Sequence, residues 1–147
     1  KLYRELYHNM KLNGVSNVIP MRFAVGDTHQ LIEMDPIVEG NEGSTGVGKG
    51  GDSVELRTID SFAFQNVSLI KIDVERLERE VLAGATKTIA IQKPVLLIEI
   101  QGGYTYEEAS KDVKDKIDLT VREILAMGYT VDRFRPYDFL AIPKETL

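Results

Sequence analysis

The stretch Ile70-Lys71-Ile72-Asp73-Val74-Glu75 decides the fold: a short apolar strand ends in two carboxylates and runs directly into a helical pattern that extends to Ala90. In open α/β sheets, ligands gather at the carboxyl ends of the strands, where strand gives way to helix. The run Pro94-Val95-Leu96-Leu97-Ile98-Glu99-Ile100 repeats the arrangement, an apolar strand with one acid near its end. If the two strands are neighbours, Asp73, Glu75 and Glu99 converge on one crevice.

Around this centre the pattern alternates helix and strand. Leu2, Leu6 and Met10, with Tyr3 and Tyr7, recur at helical spacing over residues 1–12, and Gly14 ends that helix in a left-handed cap. A strand is predicted over residues 18–25, closed by the turn Gly26-Asp27. Residues 31–38 and 54–59 read as a hairpin, the second strand alternating apolar and polar like a half-exposed edge. Between them, residues 40–52 are rich in Gly and polar side chains and form a loop.

The central strand, residues 66–73, reads as buried on both faces from Leu69, Ile70 and Ile72. The helix after it carries Leu77, Val81, Leu82, Ala85 and Ile89 on one stripe, with Glu78, Arg79, Glu80 and Lys87 outside. A loop with Tyr104 and Tyr106 beside the crevice, a helix over residues 107–127 ended at Gly128, and strands at 129–134 and 139–142 complete the pattern. This order predicts one α/β domain: a mostly parallel sheet with helices on its faces, an antiparallel pair at the end, and the hairpin with its Gly-rich loop as an insertion at about 30–58.

Composition narrows the function classes. The 147 residues suit a single core-bearing domain. A net charge of -5, from 23 acids against 18 bases and with no basic run, argues against nucleic acid as the main partner. No apolar run approaches the roughly 20 residues that span a bilayer, so no membrane role is expected. The chain has no Cys, which rules out disulfides and thiolate metal sites and fits a reducing compartment; a cytoplasmic protein is expected.

Asp73 at a strand end is placed to bind a ligand amine or hydroxyl, to hold a metal, or to take a proton. The structural alternative is that Asp73 caps the following helix while Glu75 complements its N-terminus. Glu99 lies inside an apolar run, where a lone carboxylate is costly, so it needs a partner such as Lys71, Arg76 or a cation. Asp73 and Glu99 together offer an oxygen-rich Mg²⁺ site. In the turn Ala24-Val25-Gly26-Asp27, a small residue lets a flat ring approach and Asp27 can accept from an exocyclic amine; a plain Gly-Asp turn is the alternative. Gly43-Ser44-Thr45-Gly46-Val47-Gly48-Lys49-Gly50 nearly matches a phosphate-binding loop. Gly50 replaces the required hydroxyl, however, and a strand rather than a helix follows, so a loop that folds over substrate is the better account and a nucleotidase using Lys49 the weaker. His8 and His29 have no companions that suggest a triad or a ligand set.

The run Val67-Ser68-Leu69-Ile70-Lys71-Ile72-Asp73-Val74-Glu75, with Glu78, Val81-Leu82-Ala83-Gly84-Ala85 and Lys93-Pro94-Val95-Leu96-Leu97-Ile98-Glu99, resembles the FkbM family of S-adenosylmethionine-dependent methyltransferases. Asn9, Leu12-Asn13-Gly14, the Ala24 to Asp27 turn, Thr58-Ile59-Asp60 and Tyr137-Asp138-Phe139-Leu140-Ala141-Ile142-Pro143 fall in the family's order, so the likeness covers essentially the whole chain. The resemblance implies a Rossmann-like class I methyltransferase sheet and O-methylation of a small-molecule or glycan acceptor, typically a sugar or other secondary metabolite. It also implies that Asp73, Glu75 and Glu99 serve the reaction, that Asp73 helps orient the cofactor, and that Ala24, Val25 and Asp27 lie by the adenine.

Two departures from the family stand out. Arg76 occupies a position where the family has Gly. The family's first strand, Gly-rich turn and ribose-binding acid belong upstream of a helix like residues 1–12, so the chain reads as an N-terminally incomplete methyltransferase domain. A non-catalytic α/β interaction or scaffold domain derived from such an enzyme is the alternative.

Overall fold

The computed structural model describes residues 2–40, 45–74, 76–100 and 109–144. Its elements run α1 (Leu2–Leu12), β1 (Ala24–Val25), β2 (Gln30–Glu33), β3 (Ser53–Arg57), a 3-10 turn (Ile59–Phe62), β4 (Leu69–Asp73), α2 (Glu78–Ala83), α3 (Thr86–Gln92), β5 (Val95–Glu99), α4 (Lys111–Ala126), β6 (Tyr129–Arg133) and β7 (Asp138–Pro143). They form a mixed α/β fold with two sheets, ordered β1-β3-β2 and β4-β5-β7-β6. The sheet is less parallel than the element order predicts. β4 and β5 pair in parallel, whereas β5 with β7, β6 with β7, and β2 with β3 are antiparallel.

The chain divides into two compact units, Lys1–Ala24 with His29–Leu56 and Val25–Thr28 with Arg57–Leu147. In the first, α1 buries none of its residues. The hairpin of β2 and β3 forms as the alternation predicts, but the strand expected over residues 18–25 shrinks to Ala24–Val25. The Gly-rich stretch is tied to the end of β2 and the two residues after it by backbone bonds: Asp35 N donates to Gly46 O at 2.8 Å, Gly48 N to Glu33 O at 3.1 Å and Gly51 N to Met34 O at 2.9 Å. A Cβ on Gly51 would lie 2.6 Å from the Met34 and Asp35 carbonyl oxygens, so close packing requires glycine there.

The second unit holds the core. Ile72, Leu96, Ile98, Phe139 and Ala141 point from one sheet face into a cluster with Val81, Leu82, Ala85 and Ile89 of the α2–α3 segment and Ile117 and Ile124 of α4. Tyr129 is fully buried and donates from its hydroxyl to Pro94 O at 2.9 Å. The other face of β4 is open, with Leu69 55% exposed. The reading of β4 as buried on both sides is therefore corrected: β4 is the end strand of its sheet, and only Ile70 and Ile72 face the helices.

The single helix expected up to Ala90 is broken at Gly84-Ala85. A Cβ on Gly84 would lie 1.9 Å from Gly26 O, so the backbones touch there. Asp60 then draws the chain into a new start: its N–H donates to Gly84 O at 2.9 Å, and its carboxylate accepts from Lys87 N at 2.9 Å, Thr88 N at 2.8 Å and the Thr88 hydroxyl at 2.8 Å. An external carboxylate thus satisfies two of the orphan amides of α3.

Candidate functional site

The parallel register of β4 and β5 sets Ile72 beside Ile98 and Asp73 beside Glu99. Register partners project to the same side of a sheet, and neighbouring strands lie about 4.8 Å apart, so the two carboxylates share one rim. Antiparallel pairing of β5 with β7 then sets Asp138 beside Glu99. The three form a row at the carboxyl ends of β4 and β5, on the face opposite the buried Ile72, Ile98 and Phe139. Asp73 and Glu99 are both exposed. The expectation that Glu99 is costly inside an apolar run is corrected by strand alternation, which turns it outward.

Lys71 stands two residues before Asp73 on the same face and bridges to its Oδ2. That hydrogen bond raises the Lys71 pKa above its ordinary value; slight desolvation opposes it, and the charges of Asp73, Glu99 and Asp138 add to it. Lys71 is therefore a fixed cation at neutral pH, a counter-charge within the rim and no candidate for a base. With its ammonium on Asp73, the rim suits a hydroxyl or amine better than Mg²⁺. Among the described residues no group of three or more His, Cys, Asp or Glu is arranged to hold a metal ion.

Asp73 does not cap α2. The N-cap residue is Leu77, which makes no side-chain capping bond. Glu78, expected on the solvent side, is instead fully buried, and this corrects its assignment. Its Oε1 accepts from Arg76 N at 3.2 Å, and its Oε2 meets Lys116 Nζ of α4 at 2.6 Å. The signal was present in the sequence, because Glu78 stands three and four residues before Val81 and Leu82 and seven before Ala85, on the apolar stripe itself. Arg76 has φ +73°, the left-handed conformation that glycine adopts without strain.

The other predicted residues fall elsewhere. Glu75, Tyr104 and Tyr106 lie outside the described residues. Val25 packs against the core, Gly26 N donates to Arg57 O at 3.0 Å, and Asp27 lines an open groove of about 380 Å³ with Arg79, Glu80, Thr86, Glu123 and Met127. Arg79 Nε holds both Glu123 oxygens, at 3.1 and 3.0 Å. Neither Asp73 nor Glu99 lines that groove. Ala24 belongs to the first unit, where it lines an apolar cleft with Leu2, Leu6 and Met21. His8 and His29 are exposed.

Gly43 and Ser44 of the phosphate-loop pattern lie outside the described residues, and the described part of that loop, Thr45 to Gly50, speaks against the nucleotidase reading. Gly48 and Gly51 spend their amides on protein carbonyls, and Gly50 N donates to Glu33 Oε2 at 3.1 Å, a carboxylate where phosphate would sit. Strand β3 follows, with no helix N-terminus to hold an anion.

No helix among the described residues is long and apolar enough to cross a membrane. No curated protein matches this chain. A solved structure titled methyltransferase FkbM from Methylobacillus flagellatus KT is similar at 20% identity with a TM-score of 0.55, over 96% of this chain and 32% of that one. The chain thus spans about a third of the length of that relative and shares its fold over that part. The family model described as methyltransferase FkbM domain matches residues 2–131, so the chain belongs to the FkbM methyltransferase family.

Proposed function

We infer that this chain is part of an S-adenosylmethionine-dependent O-methyltransferase with a Rossmann-like class I sheet, acting on a hydroxyl of a sugar, glycan or secondary metabolite. The observation that carries the reading is the rim in which Asp73 and Glu99 stand in register at the carboxyl ends of two parallel strands, in a chain of the FkbM family.

The cofactor supplies an activated methyl group when bound. Asp27, exposed on its turn, offers an acceptor to an exocyclic amine of the adenine. Asp73 orients cofactor or acceptor, and Glu99 or Glu75 accepts the hydrogen bond of the acceptor hydroxyl and takes its proton as the oxygen is methylated. The Lys71 ammonium, bridged to Asp73 Oδ2, holds that carboxylate in direction. The remaining contribution is positioning, which needs no nucleophilic side chain on the enzyme.

Calorimetric titration of the intact protein with S-adenosylmethionine tests this reading. Binding in the micromolar range supports it. Absence of binding favours a non-catalytic scaffold, for which the left-handed Arg76 in a family glycine position is the structural argument.

A further inference from the structure

Glu78 is a fully buried carboxylate that the proposed chemistry does not use. Four residues separate it from Asp73, and its two oxygens face different elements. Oε2 is held by Lys116 of α4, and Oε1 takes the N–H of Arg76, inside the connection that follows β4. Arg76 is held there in a left-handed conformation that a long side chain adopts only under constraint. The N-cap position of α2 supplies no side-chain bond of its own, and Glu78 ties the Arg76 amide to the helix layer.

We propose that Glu78 is a positioning residue: anchored by Lys116, it clamps the Arg76 amide and thereby sets Arg76 relative to the Asp73 rim. The role in catalysis rests on the methyl-transfer reading; the clamp itself does not. A buried ion pair that merely ties α2 to α4 would be replaceable by apolar side chains of similar volume, often at no loss of stability. A clamp would not be, because the apolar replacement leaves the Arg76 N–H without its acceptor.

Two double variants differ in whether that acceptor is kept. Glu78→Met/Lys116→Met removes charge and acceptor together, whereas Glu78→Gln/Lys116→Met removes the charge and keeps a side-chain carbonyl for Arg76. In the Met/Met protein the Arg76 amide should exchange with solvent roughly tenfold faster or more, while β5 amides keep their protection. In the Gln/Met protein, Arg76 exchange should stay within about threefold of the parent. Equal Arg76 exchange in parent and Met/Met protein, or equal loosening in both variants, overturns the clamp. Should the Met/Met protein not fold, the Gln/Met protein decides alone: retained Arg76 protection supports the clamp and lost protection overturns it.

Titration of the same intact proteins with S-adenosylmethionine reads the catalytic part. Affinity about tenfold weaker in Met/Met than in Gln/Met supports it, at equal melting temperatures. Equal affinities with a loosened Arg76 amide overturn it. A parent protein that binds no S-adenosylmethionine defeats the methyl-transfer reading instead, and the exchange comparison still decides the clamp.

Discussion

The two compact units are held together by different physics. In Val25–Thr28 with Arg57–Leu147, thirteen apolar side chains among the described residues, from both helix and strand, are buried in one cluster. In Lys1–Ala24 with His29–Leu56, Leu56 is the one buried hydrophobic among the described residues, and order comes from hairpin pairing and from glycine amides bonded to β2. The acid rim sits on the unit with the deep core. A site that must hold carboxylates within tenths of an ångström gains from rigid strands beneath it, while a unit dependent on solvent-accessible backbone bonds opens locally at lower cost.

The contrast is broken most directly by the same substitution on a strand of each unit. Leu96→Ala, at a fully buried position of β5, should destabilise by about 2–5 kcal/mol, whereas Leu31→Ala, 74% exposed on β2, should change stability by less than about 0.5 kcal/mol. Denaturant melts of the two variants check this. Comparable losses would mean that the first unit is packed as tightly as the second.

Glycines sharpen it next. On Gly84→Ala the new methyl meets a backbone carbonyl, Gly26 O, at 1.9 Å, while on Gly48→Ala it meets the Asp35 carboxylate at 1.6 Å. A carboxylate at the end of a side chain can swing aside and a carbonyl within a packed turn cannot. Gly84→Ala should therefore cost about 1–3 kcal/mol and Gly48→Ala clearly less, by the same melts.

Asp60 provides the pH arm. Burial alone would raise its pKa, but the amides of Lys87 and Thr88, the Thr88 hydroxyl and the Lys87 charge outweigh burial and hold it below its ordinary value. A depressed carboxyl stabilises the fold above its unfolded-state pKa, and that stability is lost as pH falls through the folded value. Stability should thus decline below about pH 4, and Asp60→Asn should flatten the decline at a cost near 1 kcal/mol. An acid limb of the same slope in the variant would show that Asp60 does not carry it.

The smallest effect belongs to Arg76. Replacing it with glycine removes the left-handed strain, and Arg76→Gly should raise stability by roughly 0.5–1 kcal/mol, seen as a melting-temperature gain of a few degrees. A loss would mean that the guanidinium contributes more than the backbone costs.

Much of the second unit was legible because its signals are local. Val95 to Ile98 is an unbroken apolar run long enough for a strand, and Gly128 ends α4 at φ +87°. The pairing of β4 with β5, and hence Asp73 beside Glu99, followed from strand and helix order. What escaped reading depends on partners distant in sequence. The break at Gly84 comes from contact with Gly26 and from Asp60 reaching Thr88. Asp138 joins the rim through an antiparallel pairing that no local pattern announces. Glu78 has the charge of a surface residue but the place of a core one on the stripe, and Lys116, the cation that makes its burial tolerable, lies on another helix.

The central claim is that the rim at the ends of β4 and β5 serves a methyltransferase. Titrating the intact protein and its Asp73→Asn variant with S-adenosylmethionine tests it most directly, since Asp73 is exposed and its amide isostere should leave the melting temperature unchanged. The account predicts micromolar binding by the parent and affinity roughly tenfold weaker in the variant; equal affinities in the two proteins would contradict it.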